Sequence, residues 1–121
     1  MFAFEKLEVW QLAVEYCDDV YRITRSFPSE ERFGLTSQLR RAAVSIASNV
    51  AEGSGRLSKK DFARFVEIGY GSVAEVVTEF KIARRQEMIP EVEFGLAYQK
   101  AERLAQMLSR LRSSLLEAHE R

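Results

Sequence analysis

The stretch LTSQLRRAAVSIASNVAE, residues 35–52, has an apolar surface too wide for a helix that packs on one neighbour. With about 100° between successive side chains, one apolar stripe consists of Leu39, Ala42, Ala43, Ile46, Val50 and Gly53. The stripe is widened around the side of the helix by Val44, Ala47 and Ala51. Two interpretations stay open: this is the central helix of a monomeric bundle, or one side packs the core and the other packs a second subunit.

The composition is typical of one soluble globular domain that covers residues 1–121. The chain has 46% apolar and 30% charged residues, and its length is sufficient to bury a core. With 18 basic and 18 acidic side chains the net charge is zero, so binding to nucleic acid would need a local patch. The chain has a single cysteine and lacks a signal-peptide pattern, which predicts a cytoplasmic protein. It also lacks an apolar run of about 18 residues, so no membrane-spanning helix is predicted.

Three further segments have the periodicity of bundle helices. Residues 5–26 repeat apolar side chains at spacings of three and four, and a Phe-Pro pair ends this helix. Residues 58–87 open with a capping pattern at Ser58, and residues 91–118, which follow a proline, carry a strict heptad seam. Four helices with short connections predict an all-α fold, an antiparallel up-down-up-down four-helix bundle.

Threonine and glycine positions add detail to the second and third helices. Thr36 has the side chain of an N-cap, and Gly53 can adopt the left-handed conformation that closes a helix. Gly69 lies on the core face of the third helix and predicts close packing of a neighbouring helix, whereas Gly71 points elsewhere. A subunit contact would explain Gly71. The candidate oligomer interface therefore comprises Val44, Ala47, Ala51 and Gly71.

The residue types that most catalytic and metal sites need are scarce. The one histidine, His119, lies in a polar C-terminal tail, so no Ser-His or Cys-His pair can be assembled. Cys17 lies on the apolar seam of the first helix, and one cysteine with one histidine is too few for zinc. No inward Glu-x-x-His pair offers a di-metal site, and GSGR at residues 53–56 lacks the full phosphate-loop pattern. We therefore expect no enzyme activity, no metal and no cofactor.

Basic side chains cluster in two places despite the neutral total. The first cluster surrounds the loop before the third helix and comprises Arg56, Lys59, Lys60 and Arg64. Asp61 is the only acid within it, and both lysines stand at a helix start, where the dipole favours acids. This misplaced charge points to phosphate contact. The second cluster comprises Arg40, Arg41, Arg84 and Arg85. Acidic residues are near it, so a salt-bridged and solvated end of the bundle is favoured there.

Several of these segments resemble a known family of four-helix bundle proteins. The resembling runs are FEKLEVWQLAVE at residues 4–15, FGLTSQLRRAAVSIASNVAEG at 33–53, GSVAE at 71–75 and ARR at 83–85. The founding members of that family are encoded in intervening sequences of bacterial 23S rRNA genes. The chain departs from the family pattern at Ala47, where proline is frequent, and at Val77, where relatives have a second acid.

The resemblance implies a small bacterial protein that forms an antiparallel bundle and a ring-shaped homo-oligomer, in known relatives a pentamer. It implies no enzymatic activity, and a related branch binds nucleic acid together with a reverse transcriptase. Our first hypothesis is a homo-oligomeric bundle that binds RNA or DNA through its basic surface. The alternative is a structural adaptor that binds a protein partner without nucleic acid, and a metal-bundle enzyme is a third possibility.

Overall fold

The computed structural model describes residues 1–120, most of which lie in four α-helices. The helices are α1 (Glu8–Thr24), α2 (Leu35–Ser54), α3 (Lys59–Arg85) and α4 (Glu91–Glu120), and short 3-10 turns cover Ala3–Lys6 and Ser29–Glu31. The first helix is shorter than the predicted residues 5–26 because Leu7 is extended, with φ −75° and ψ 126°. The other three helices agree with their predicted ranges to within a few residues.

Contacts between the helices define an antiparallel bundle. Each helix packs against the next one in the chain, and α1 also packs against α4, which closes the ring of four. Along α2 and α3 the residue numbers run in opposite directions, because Gly53 lies against Phe62 whereas Ser45 is hydrogen-bonded to Ser72. The same reversal holds between α3 and α4. The all-α up-down-up-down bundle predicted from the sequence is confirmed.

The core is a continuous apolar layer between the four helices. Its fully buried side chains include Tyr16, Val20, Leu39, Ile46, Val66, Val76, Leu104 and Leu108. Tyr16 carries a hydroxyl into this layer and donates a hydrogen bond of 3.1 Å to the carbonyl oxygen of Ala97. Burial, followed by the charge of Asp19, raises the pKa of Tyr16 above its usual value, so the hydroxyl keeps its proton at a pH where an exposed tyrosine would lose it.

The apolar stripe on α2 is buried as predicted, but two predictions for the ends of this helix are wrong. Thr36 is not an N-cap, because the helix begins one residue earlier, at Leu35, and Thr36 is buried in its first turn. The Leu35 N–H donates instead to a carboxylate oxygen of Glu31, at 3.1 Å. Gly53 is not left-handed, because α2 continues through it to Ser54, and no glycine in the described chain has a positive φ.

Glycine is required at position 53 because α3 leaves no room for a side chain there, and not because the backbone adopts a conformation that only glycine tolerates. A Cβ atom built on it would lie 2.7 Å from Phe62 Cδ1 and 2.8 Å from Phe65 Cβ, so α3 crosses α2 directly over this glycine. At Gly69, the predicted site of close packing, a Cβ atom would meet the Ile46 carbonyl oxygen at 3.6 Å, an ordinary contact distance. The two helices therefore approach each other more closely at Gly53 than at Gly69. Gly53 lies beside the turn that carries the first basic cluster.

The turn after α3 contains Glu87, which is the one non-glycine residue with a positive φ, 60°, in the part of the chain that the structure describes. The Glu87 N–H donates to Arg84 O at 3.1 Å, and the Met88 N–H donates to Ala83 O at 2.9 Å. These two bonds form a Schellman motif, which satisfies the last carbonyl groups of the helix. The left-handed position in such a motif is usually glycine, because a Cβ atom is disfavoured there.

Replacement of Glu87 by glycine is expected to stabilise the protein by about 1 kcal/mol, because the Cβ penalty of the left-handed conformation disappears. The matched control is Glu87→Ala, which removes the same carboxylate but keeps the Cβ atom, so its stability should stay near that of the wild type. Urea denaturation followed by circular dichroism measures both variants at one protein concentration. Equal stability of the two variants would contradict this account of the turn.

Candidate nucleic-acid interface

The turn between α2 and α3 brings the first basic cluster to one end of the bundle. Ser58 caps α3 as predicted, since its Oγ accepts a hydrogen bond of 3.0 Å from the Asp61 N–H. The exposed basic side chains of this turn and of the adjoining start of α3 are named the loop patch: Arg56, Lys59, Lys60 and Arg64. All four residues predicted as first candidates for phosphate contact thus belong to one local structure.

The two arginines of the loop patch are held in place by one carboxylate and one aromatic ring. Asp61 accepts from Arg64 Nε at 2.9 Å and lies 3.8 Å from Arg56 Nε. Both guanidinium groups also lie over the Phe65 ring, at 4.4 Å for Arg56 and 4.6 Å for Arg64. Only Nε of each guanidinium takes part in these ion pairs, so the terminal amino groups remain as donors for a phosphate.

The two lysines of the loop patch are free cations at a helix start. Lys59 and Lys60 are exposed, and among the described side chains no carboxylate oxygen lies within 4.0 Å of either ammonium group. They occupy the first turn of α3, where the unpaired N–H groups and the helix dipole add further positive potential. Among the described ion pairs of the loop patch, Asp61 is the one acidic partner, and it pairs with the two arginines.

The second basic cluster is divided between structural and exposed side chains. Arg40 Nε donates to Thr24 Oγ1 at 2.9 Å, and its guanidinium lies 4.6 Å from the centre of the Tyr21 ring, so Arg40 links α2 to α1. Arg84 donates to Ile89 O at 3.4 Å and thereby supports the turn after α3. The remaining two members of the cluster, which are exposed, are Arg41 and Arg85. Phosphate contact by this cluster would therefore depend on fewer free groups than at the loop patch.

Polar side chains also connect α2 and α3 along their outer surface. Asn49 Nδ2 donates to Ser45 O at 2.8 Å and to Ser45 Oγ at 2.9 Å. Ser45 Oγ in turn lies 2.9 Å from Ser72 Oγ, across the two helices. Glu79 lies further along the same groove, and burial together with the charge of Glu75 raises its pKa. The one indication of this polar row in the sequence was the spacing of Ser45 and Asn49, which are four residues apart on one helix.

The candidate oligomer interface lies on both sides of this polar row. Val44 is 42% exposed, and Gly71 faces open space, with no atom within 4 Å of a Cβ atom built on it. Ala47 is half-buried and packs against the core, and Ala51 is half-buried. Val44 and Gly71 thus leave accessible surface on neighbouring helices, and their role in assembly remains a prediction.

Residue types that catalytic and metal sites need are few in this chain, which has one cysteine and one histidine. Among the described side chains, no group of three or more histidine, cysteine, aspartate or glutamate residues is arranged to hold a metal ion. Cys17 is half-buried, and burial, followed by the charge of Asp18, raises the pKa of its thiol to about 11. His119 lies outside the residues whose side chains are described. No helix within residues 1–120 combines the length and apolarity needed to cross a membrane.

The fold defines the chain as a small antiparallel four-helix bundle protein. Residues 5–110 match the family model of the 23S rRNA-intervening sequence proteins, and the chain therefore belongs to that family. It is also similar to the crystal structure of a protein of unknown function from the S23 ribosomal protein family of Bacteroides thetaiotaomicron VPI-5482, with a TM-score of 0.77. That similarity, at 18% sequence identity, covers 86% of this chain and 97% of the other, and it supports the fold alone. No curated protein matches the chain significantly.

Proposed function

We propose that this chain is a non-enzymatic, ring-like homo-oligomer that binds RNA or DNA through the loop patch. The observation that carries the proposal is the pair of exposed lysines, Lys59 and Lys60, without a carboxylate partner among the described side chains. Free cations at a helix start are suited to the phosphate backbone, which supplies most of the affinity in binding that does not depend on sequence. The pentameric state is the one that the family resemblance implies.

In this proposal the lysines and the arginines of the loop patch contact phosphates in different ways. Lys59 and Lys60 are mobile point charges that release counterions when they neutralise phosphates. Arg56 and Arg64 are pre-positioned by Asp61 and Phe65, so they lose less conformational freedom when their terminal amino groups bind a phosphate. A ring would repeat the patch once per subunit and raise the local positive potential, although each chain is neutral overall.

A protein partner is the second candidate function, and exposed apolar side chains on α3 favour it. Ile68 and Ile82 are each almost half exposed, on the same helix as Gly71. In the proposed oligomer this surface is covered by a neighbouring subunit. In the adaptor alternative it binds a different protein, and the purified chain carries no nucleic acid.

The double variant Lys59→Glu/Lys60→Glu is expected to weaken nucleic-acid binding about 100-fold at low salt, because two cations become anions at the phosphate contacts. Fluorescence anisotropy with a labelled RNA and a labelled DNA of about 20 nucleotides measures affinity over a salt series. For the wild type, the logarithm of the affinity should fall steeply with the logarithm of the salt concentration, and the variant's slope should be smaller by about two.

The matched control is Arg25→Glu/Arg32→Glu, which makes the same change of charge at exposed positions at the opposite end of the bundle. This control should retain most of the wild-type affinity, and circular dichroism should show both variants folded. Wild-type affinity in the lysine variant, or binding that does not respond to salt, would overturn the assignment to the loop patch. An equal loss in the control would place the contact at the other end.

A further inference from the structure

Three aromatic side chains at the start of the chain form an ordered stack with one open face. The rings of Phe2 and Phe4 are nearly parallel, at 16° with centroids 5.6 Å apart, and Phe4 meets the Trp10 ring edge-on at 5.3 Å. Phe2 is nevertheless 71% exposed. We refer to Phe2, Phe4 and Trp10 as the aromatic stack, and its outer ring face belongs to Phe2.

Hydrogen bonds fix the backbone that carries this stack. The Phe2 N–H donates to Glu5 Oε1 at 2.9 Å, and Gln11 Nε2 donates to Glu5 O, also at 2.9 Å. The short 3-10 turn over Ala3–Lys6 also packs against both α1 and α2. The exposed ring is therefore held by the bundle, and a planar ligand would not have to order a loose segment.

The aromatic stack and the loop patch lie at the same end of the bundle. Thr24, the last residue of α1, contacts Arg40 near the start of α2. Because α1 has 17 residues, its first residue lies about 25 Å further along α2 at 1.5 Å per residue, which is the end of α2 that leads to the loop patch. With helix axes about 8–10 Å apart, the two features are separated by about 10–20 Å across one bundle end.

We infer that this end of the bundle selects single-stranded nucleic acid, with backbone phosphates on the loop patch and an unpaired base stacked on the outer face of Phe2. The inference rests on the proposed function. Sites for single strands combine a cationic track with aromatic platforms, because every base has a face that can stack. In a duplex the faces of the bases are already stacked on one another, so none is available to the Phe2 ring. At about 3.4 Å per nucleotide, a strand of about three to six nucleotides spans both features.

A lipid surface is the competing ligand, because Leu57, fully exposed beside the loop patch, and Phe2 could both insert among acyl chains. The structure favours the base. The ring of Phe2 is nearly parallel to that of Phe4, so its other face is presented in the geometry that a stacked base needs. The exposed large apolar side chains at this end are Met1 and Phe2 at the start of the chain and Leu57 beside the loop patch, which form two small separate groups rather than the continuous apolar face of an interfacial helix.

The test compares a labelled thymidine oligonucleotide of about 12 residues with a strand of the same length and charge that has no bases. Wild-type protein, tagged only at its C-terminus, is expected to bind the thymidine strand about tenfold more tightly than the abasic strand, the effect of one stacked base. Phe2→Ala should remove this ratio and leave the affinity for the abasic strand unchanged, whereas Phe2→Trp should keep it. Fluorescence of Trp10, the only tryptophan, should change with the thymidine strand alone.

The outcomes separate this inference from the proposed function. If neither strand binds, the proposed function fails and the inference fails with it. If the wild type binds both strands equally and Lys59→Glu/Lys60→Glu binds neither, the proposed function stands and the base-stacking site is overturned. A wild-type preference for the thymidine strand that persists in Phe2→Ala also overturns it. Binding to vesicles of phosphatidylcholine and phosphatidylserine that Phe2→Ala abolishes, without a preference between the strands, would assign the aromatic stack to a membrane surface.

Discussion

Replacement of Gly53 by leucine is expected to destabilise the bundle by about 3 kcal/mol, near the upper end of the range for overpacked cores. A Cβ atom at this position already comes within 2.8 Å of Phe65 Cβ, an atom attached directly to the backbone of α3. Rotation of the Phe62 ring could relieve one contact, but the Phe65 contact can be relieved only if α3 moves away from α2. Urea denaturation at fixed protein concentration measures the loss, because the stability of an oligomer depends on concentration.

Two alanine variants provide the controls for Gly53. Gly53→Ala should cost about 1 kcal/mol, since the steric penalty exceeds the gain in helix propensity. Gly95→Ala should instead stabilise the protein by about 1 kcal/mol, because this glycine is also inside a helix, α4, but a Cβ atom there meets no neighbour. Opposite signs for the two substitutions are the expected result, and equal effects would contradict the packing that we describe at Gly53.

Truncation of Tyr16 to alanine is expected to cost about 3–5 kcal/mol, the range for loss of a large buried aromatic side chain. Tyr16 is fully buried, and its hydroxyl joins α1 to the Ala97 carbonyl of α4, where the ring of helices closes. Since small domains are stable by about 5–15 kcal/mol, this loss should remove a large share of the folding free energy. Thermal and urea denaturation measure it directly.

Tyr16→Phe separates the hydroxyl from the ring and should cost only about 1 kcal/mol, because the packing is kept. The same substitution should also change how the free energy of unfolding depends on pH. The raised pKa means that the unfolded chain releases the Tyr16 proton before the folded chain does, so wild-type stability should fall as the pH rises above about 10. The Phe variant should lack this part of the decline. A decline of equal size in both proteins would contradict the buried, protonated hydroxyl.

The sequence was sufficient to predict the helices and the buried stripe of α2 because both follow from local periodicity. Residues such as Leu39 and Ile46 recur at the helical repeat. The face that they share can therefore be identified before the helix that packs against it is known. The role of Gly53 was predicted wrongly for a related reason. A glycine near the end of a helical pattern suits a left-handed cap, and only the position of Phe65 on another helix shows that space is what it provides.

The candidate site was predictable to the extent that it is local. The loop patch could be found because its lysines are adjacent in the chain and opposed to the helix dipole. The structural roles of Arg40 and Arg84 could not, because their partners Thr24 and Ile89 become neighbours only when the helices and turns are in place. The polar row across α2 and α3 was missed for the same reason, since Ser45 and Ser72 are separated by 27 residues.

The central claim, a homo-oligomeric bundle that binds nucleic acid, is tested most directly by light scattering coupled to size exclusion, with absorbance followed at 260 and 280 nm. The account predicts a mass several times that of the 13.9 kDa chain, about 70 kDa for a pentamer, with raised absorbance at 260 nm across the peak. A 13.9 kDa monomer with the spectrum of protein alone would contradict both parts of the claim.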